Sequence, residues 1–395
     1  MARAVLALCA FAVIVGASPS VAGSLSDVFL SPQFARLGLA PLGPVLASTV
    51  ASTYPVASAS SSVIYAYNPA LETVERRPGV LGPILGERAD TLGQGRFDFA
   101  LSYSFVHLAT IDGKPLDDLV NIPLVKGRFL FFPVPGGTTT KDGRFTTLLP
   151  VRVAVDLDVD AHIVAPSVTY GVTPDLDVNL TLPILRTSLD VQARTRVPDP
   201  RLPAFMLSPD NPNASTGFKA ASDTSAGAGD LLLRAKYMLH RGAPVDLAAQ
   251  LGLSLPSGRA DDFQGTGTTR VLPTLIASRV FGGWLELLAN AGMDLDAEDV
   301  DRSVVRWVIG GTVMPLEQVA VPIVFLGRHE LSAPADPIPL PFFFQIERSD
   351  AFDASVGIRW RFARTAVLSA NALVPLNRAG LRADVIPTAE IEYSF

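Results

Sequence analysis

Residues 381–395 alternate with a single exception, and that alternation limits what the chain can fold into. Leu381, Ala383, Val385, Pro387, Ala389, Ile391, Tyr393 and Phe395 fall on one face; Arg382, Asp384, Thr388, Glu390, Glu392 and Ser394 fall on the other, with Ile386 the one apolar intruder. Successive side chains of a strand point to opposite sides, so the segment reads as one ribbon with an apolar face and a charged face. The ribbon runs to the last residue and ends on aromatics. The question it raises is whether the rest of the chain repeats it.

It does. Phe97, Phe99, Leu101, Tyr103 and Phe105 alternate with Asp98, Ala100, Ser102 and Ser104. Val151, Val153, Val155, Leu157 and Val159 alternate with Arg152, Asp156, Asp158 and Asp160; the phase then slips over residues 163–166, where a bulge or bend is expected before the strand continues to Tyr170. Further strands follow over residues 176–184, 231–239, 245–255, 271–281, 285–294, 303–314, 319–330, 352–362 and 367–376. The expected total is about twelve antiparallel strands.

The connections alternate too. Residues 112–146, 197–227, 257–269, 296–302 and 332–350 make long or medium loops, while 173–175, 241–244, 282–283, 315–318 and 363–365 make tight turns. An up-and-down transmembrane barrel produces this pattern, with short periplasmic turns and longer outer loops. A soluble Greek-key sandwich has no reason to. Phe97, Phe99, Tyr170, Tyr237, Trp360, Phe362, Tyr393 and Phe395 would all lie at the turn end, as an interfacial girdle requires. Composition agrees: apolar residues make up 48% and mean hydropathy is +0.33, yet past the leader no apolar run approaches the roughly 18 residues of a membrane helix. The net charge of −6 gives no reason to expect a nucleic acid partner.

Residues 1–22 read as a secretory leader. Arg3 supplies the positive start, Ala4 to Val15 the short apolar core, and Ser20-Val21-Ala22 the cleavage site. Cys9, the single cysteine, lies within it, so neither disulfide nor cysteine metal site is expected in the exported chain. Residues 23–95 are irregular, a periplasmic tail or a plug packed into the lumen, and residues 96–395 form the barrel. The expected location is the outer membrane of a diderm bacterium, with outer-membrane lipid and the barrel-assembly machinery as partners.

Several short motifs punctuate the strands: Leu92-Gly93-Gln94-Gly95-Arg96-Phe97, Ile111-Asp112-Gly113, Leu116-Asp117-Asp118-Leu119, Tyr170-Gly171-Val172-Thr173-Pro174-Asp175-Leu176, Gly227-Ala228-Gly229-Asp230-Leu231 running to Arg234-Ala235-Lys236-Tyr237, and Leu255-Pro256-Ser257-Gly258-Arg259 followed by Gly265-Thr266-Gly267. In order and spacing the set resembles the outer-membrane transporter family named for a meta-pathway of phenol degradation. The resemblance implies a barrel of the outer-membrane superfamily and transport, by a logic similar to that of barrels that pass hydrocarbons and fatty acids. It implies no binding residues.

The residues themselves suggest two kinds of site. Three loops are unusually apolar: one holds Phe131 and Phe132, one Phe205, and one Phe342, Phe343 and Phe344. They could form a hydrophobic mouth for small apolar or aromatic solutes, or simply fold over the mouth or extend strands into lipid. Charges on the lumen face, Arg234, Lys236, Glu286, Arg306, Asp353, Arg359, Arg361 and Glu390, could form a constriction, or pair across strands and fill the barrel. Tyr393 and Phe395 look like the terminal signal for barrel insertion. The four histidines, His107, His162, His240 and His329, show no mutual metal-ligand spacing, and no serine motif supports a hydrolase, so neither catalysis, cofactor nor metal is expected. The expected function is passive uptake of small apolar or aromatic molecules. The alternatives are a general or occluded porin-like barrel with a structural or adhesive role and, further off, an outer-membrane lipid hydrolase.

Overall fold

The alternating segments can satisfy their backbone groups in lipid only by pairing in a closed ring, since an open edge would leave N–H and C=O groups without water. That is what the computed structural model contains: a closed antiparallel barrel of twelve strands. It describes residues 23–35, 39–40, 42–53, 58, 65–68, 73–76, 81–120, 130–133, 148–196, 216–332 and 350–395. In chain order the strands are β1 (Phe97–Ile111), β2 (Leu148–Thr173), β3 (Leu176–Thr181 continued by Ile184–Arg196), β4 (Thr216–Ala228 continued by Leu231–His240), β5 (Asp246–Leu255) and β6 (Arg270–Phe281). Then come β7 (Leu285–Asp296), β8 (Val304–Leu316), β9 (Val319–Glu330), β10 (Ala351–Trp360), β11 (Ala366–Pro375) and β12 (Leu381–Ala383 continued by Ile386–Ser394). Tight turns join β2–β3, β4–β5, β6–β7, β8–β9 and β10–β11, and all lie at one end. The β6–β7 turn relies on Gly282 and Gly283, with φ of 57° and 75°, where a side chain would be strained.

The ring closes between β1 and β12. Tyr393 stands opposite Phe99, and Phe97 and Phe395 exchange backbone hydrogen bonds of 2.9 Å in both directions. Around this seam the Phe395 ring lies 5.8 Å from Phe97 and 5.7 Å from Phe99, and Phe97 lies 4.5 Å from Tyr170. With exposed Tyr237, Trp284, Trp360 and Phe362 these rings form the turn-end girdle expected from the sequence. Above it the outer face is apolar, with exposed Leu101, Leu180, Leu251, Leu275, Ile309, Ile323, Val356 and Ile391.

Four expectations are corrected. β2 keeps one register against β1 from residue 159 to 170, so there is no bulge at 163–166; its register shift lies between Gly171 and Thr173. The loop placed over 197–227 is shorter, because Thr216–Ala228 already pairs with the upper part of β3. The carboxyl-terminal ribbon is two pieces. Asp384 and Val385 break it, Ile386 turns inward, and the intruder becomes a buried residue of the lumen core at 4% exposure.

The fourth correction concerns burial. β1 to β4 rise past the apolar belt toward the loop end, and β2 runs 26 residues where β5 runs 10. In the risen part the faces exchange roles: Val155, Leu157, Val159, Ala161 and Ile163 point inward and are buried, while exposed Asp158 and half-exposed Asp156 and Asp160 point outward. Alternation is unchanged, but water now lies outside the wall and an apolar filling lies inside. The filling is the amino-terminal segment: α1 (Asp27–Leu30), α2 (Pro32–Ala35) and α3 (Leu42–Thr53). Leu25, Phe29, Phe34, Leu39, Leu46 and Val50 join one buried cluster with Val106, Leu108, Leu189 and Val191 of the wall. Each such side chain contributes about 1.5–3 kcal/mol relative to exposure.

Candidate functional site: the lumen and its seal

Residues 83–92 pass through the lumen near the turn end, and wall side chains hold several of their backbone groups. Glu87 N–H donates to Asn290 Oδ1 at 2.7 Å, and Asn290 Nδ2 donates back to Glu87 O at 2.8 Å. Ala89 N–H donates to Ser278 Oγ at 2.9 Å and Leu92 N–H to Asp177 Oδ2 at 2.8 Å. Lys236 Nζ donates to Asp90 O at 2.7 Å, and Arg359 donates to Pro83 O at 2.5 Å. A chain crossing a lumen cannot use a ladder, so side chains of β3, β4, β6, β7 and β10 replace one.

Buried ion pairs lock the same segment. Arg88 makes a two-pronged contact with Glu286 (3.0 and 2.7 Å), the side chains being 1% and 0% exposed. Arg359 reaches Glu392 at 2.6 Å and Glu390 at 3.6 Å, and Arg234 binds Glu87 at 3.3 Å together with Asn179 and Thr181. Fork-to-carboxylate geometry of this kind is the strong form of the interaction.

Above this seal is a cavity of about 1100 Å³ in two layers. Leu85, Gly86 and Glu87 form its floor. The lower wall is an apolar girdle: Leu232, Leu272, Val308, Leu326, Leu373 and Ile386. Nearer the loop end, one inward position beyond Leu272, Val308 and Leu326, come Arg270, Arg306 and Arg328, with Asp294 of β7, Asp353 of β10 and Arg382 of β12 beside them. Asp294 joins Arg270 and Arg306 at 2.5 Å each, and Arg382 binds Asp353.

The charges expected on the lumen face are therefore split. Arg234, Lys236, Glu286, Arg359 and Glu390 belong to the seal, and Arg306 and Asp353 to the upper ring. Arg361 is in neither: it lies past β10 in the turn and donates to the backbone carbonyl of Glu317. Tyr393 and Phe395 are half exposed in the girdle. Phe131 and Phe132 lie on a short strand, Leu130–Pro133, whose backbone pairs with Pro150 and Leu149 of β2. Phe205, Phe342, Phe343 and Phe344 lie outside the described residues.

Sequence reasoning missed the partners in the segment itself, since Glu87 and Arg88 carried no periodicity to mark them. It also missed a group on the risen outer face, where His107 Nδ1 lies 2.8 Å from Asp160 and 3.6 Å from Asp158. All three are partly or fully exposed, and the contact is that of a surface His–Asp pair.

The motifs prove to be mutual contacts. A Cβ on Gly171 would stand 1.8 Å from Gly93 O, so two motifs meet backbone to backbone where the segment enters β1. Asp230, 5% exposed, accepts from Gly258 N–H (3.1 Å), Thr266 N–H (2.7 Å) and Thr266 Oγ1 (2.8 Å), tying the 256–269 loop to β4. A Cβ on Gly265 would come within 2.3 Å of that carboxylate. The model of the family described as "Putative MetA-pathway of phenol degradation" matches residues 136–306. The resemblance read from the sequence holds. The phenol-degradation match runs through β2 to β7 and into β8, and so includes the Asp230 clamp. No curated protein matches the sequence. Among solved structures, an outer membrane channel from Pseudomonas putida F1 is similar over 78% of this chain and 98% of its own, at 12% identity and TM-score 0.47. The CymD monoaromatic hydrocarbon channel (10% identity, TM-score 0.38, 77% and 89% covered) and the P. putida toluene transporter TodX (10%, 0.36, 76% and 89%) are similar at lower scores.

Proposed function

We propose that the protein is an outer-membrane channel for passive uptake of small aromatic or otherwise apolar molecules, closed at rest by residues 83–92. The observation that supports this most is how the floor of the cavity is held. Its residues are attached to the wall by side-chain contacts alone, so the segment can leave without unpairing any barrel strand. The apolar girdle supplies a path for an apolar body, and the family match, named for phenol degradation, is in keeping with an aromatic solute. On this reading the turns face the periplasm, the leader is cleaved near Ala22, and Tyr393 and Phe395 are read by the assembly machinery. The protein conducts and does not catalyse. Phe131, Phe132, Phe205, Phe342, Phe343 and Phe344 are assigned to capture at the mouth.

A second reading, an occluded barrel with a structural role, is favoured by how many wall contacts hold the seal. Uptake of a labelled small aromatic by intact cells, with and without the expressed protein, separates the two. Faster uptake that survives deletion of residues 342–344 would remove the mouth assignment but keep the channel. No increase in uptake would leave the occluded barrel.

A further inference from the structure

We propose that the tip of the 256–269 loop, residues 259–263, is a lid on the cavity that lifts from the amino-terminal filling to admit solute from the loop end. This rests on the channel reading and adds an outer closure to the inner seal. The loop joins β5 to β6, yet it folds over the lumen instead of standing away from the wall. Asp262 and Phe263 are 3% and 0% exposed. Ala260, Asp261 and Gly265 line the cavity, as do Ser26, Ala47 and Thr49 of the filling. Loop and filling therefore meet beside the space a solute must enter.

The base of the loop is fixed to the wall. Asp230 holds Gly258 and Thr266, Gln264 Nε2 donates to Ser225 Oγ at 2.7 Å, and Thr268 Oγ1 donates to Asp296 at 2.8 Å. Between base and tip is a narrow neck. A Cβ on Gly258 would stand 2.5 Å from Gln264 O and 3.0 Å from Gly265 Cα, so the two sides of the loop touch there backbone to backbone. Base and tip are thus separate bodies, one clamped to the barrel and one projecting into the filling.

The tip reaches the filling through Ser26 N–H donating to Asp261 O (3.0 Å), Leu25 N–H donating to Asp262 Oδ1 (3.3 Å), and the Phe263 ring, which joins the buried cluster of Leu25, Phe29 and Leu46. None of these contacts belongs to a strand ladder, so the tip can leave without unpairing the barrel. Two features oppose the closed position. Phe263 has φ of 61°, a backbone conformation that a bulky side chain adopts only under constraint. Asp262 pairs with Arg259 at 2.9 Å, and the Arg259 side chain is 75% exposed, so lifting returns a buried carboxylate to water while its partner is already there. One buried ring works against strain and desolvation, the kind of balance a two-position element needs.

The test has two parts, both on the folded full-length barrel in detergent. The first is amide exchange: lifting frees the Leu25 and Ser26 amides and leaves those of Gly258 and Thr266 on Asp230. The first pair is expected to exchange at least tenfold faster than the second. The second part is the rate at which N-phenylmaleimide reacts with Thr274→Cys, on the cavity wall in β6. Adding Phe263→Gly, which suits the backbone and removes the ring, should raise that rate at least tenfold, and heat-modifiable gel migration reports folding. If that variant does not fold, Asp262→Ala, which cuts the bond to Leu25, takes its place; if neither folds, amide exchange decides alone. Equal exchange of the two amide pairs, or labelling indifferent to the tip, would overturn the proposal. Tip-controlled labelling in a protein that brings cells no uptake of a labelled aromatic would instead sink the channel reading, and uptake with labelling indifferent to the tip would sink the lid only.

Discussion

Arg88 and Arg359 are the largest nearly inaccessible side chains among the described residues, at 1% and 2% exposure, and each reaches a carboxylate on the barrel wall. Taking two charges out of water is offset only when geometry is good, and removing one partner costs about 3–5 kcal/mol. In Glu286→Gln the stranded Arg88 can escape that cost by leaving the lumen with its segment. The expected outcome is faster protease cleavage or labelling of residues 83–92 with the barrel still heat-modifiable. Arg88→Met with Glu286→Met should recover protection, because an apolar pair leaves no buried charge. Gly171→Ala belongs to the same scale. Its Cβ would overlap the carbonyl of Gly93, and backbone cannot yield as a side chain can. Folded barrel recovered from membranes should fall severalfold, whereas Gly242→Ala, with open space around it but φ of 128°, should cost about 1–3 kcal/mol of backbone strain and leave the barrel folded.

At the level of elements, the Asp230 clamp makes a sharp case. One carboxylate holds three donors of the 256–269 loop, and each hydrogen bond to a charged group is worth about 1.5–3 kcal/mol. Asp230→Ala should speed amide exchange in that loop by at least tenfold while β6 and β7 keep their protection. The carboxyl-terminal strand carries another expectation. Phe395→Ala keeps both backbone hydrogen bonds to Phe97 and removes only ring contacts, so reduced insertion in that variant would place the signal in the aromatic side chain. The strands were legible because lipid imposes period two on every one of them, and so were the turns between them. What period two does not tell is which face meets water. Val155 to Ile163 alternate as Phe97 to Phe105 do, yet their apolar face is inside, because the helices that fill the risen wall make no mark on β2 itself. Ile386 looked like an error in a ribbon for the same reason, and Asp384–Val385 break it just after β12 shifts register against β1 between Arg382 and Ala383.

On the scale of the molecule, the lumen is layered: a charged ring, an apolar girdle, a floor of Leu85 to Glu87, and a locked base. Lumen charges could be found in the sequence, but their division into ring and seal could not, since the segment partners of Arg234, Lys236 and Glu286 lie more than a hundred residues away. Deleting residues 23–53 should uncover Leu189, Val191 and their neighbours, raising binding of a hydrophobic dye without opening the base. Opening the base is a separate event, and the channel account depends on it. Arg88→Cys and Glu286→Cys, in a chain whose one native cysteine is Cys9, allow a short bis-maleimide to fix the segment to the wall. Uptake of a labelled aromatic should fall at least tenfold on cross-linking, relative to the same variant left unlinked. Equal uptake by the linked and unlinked protein would contradict the account.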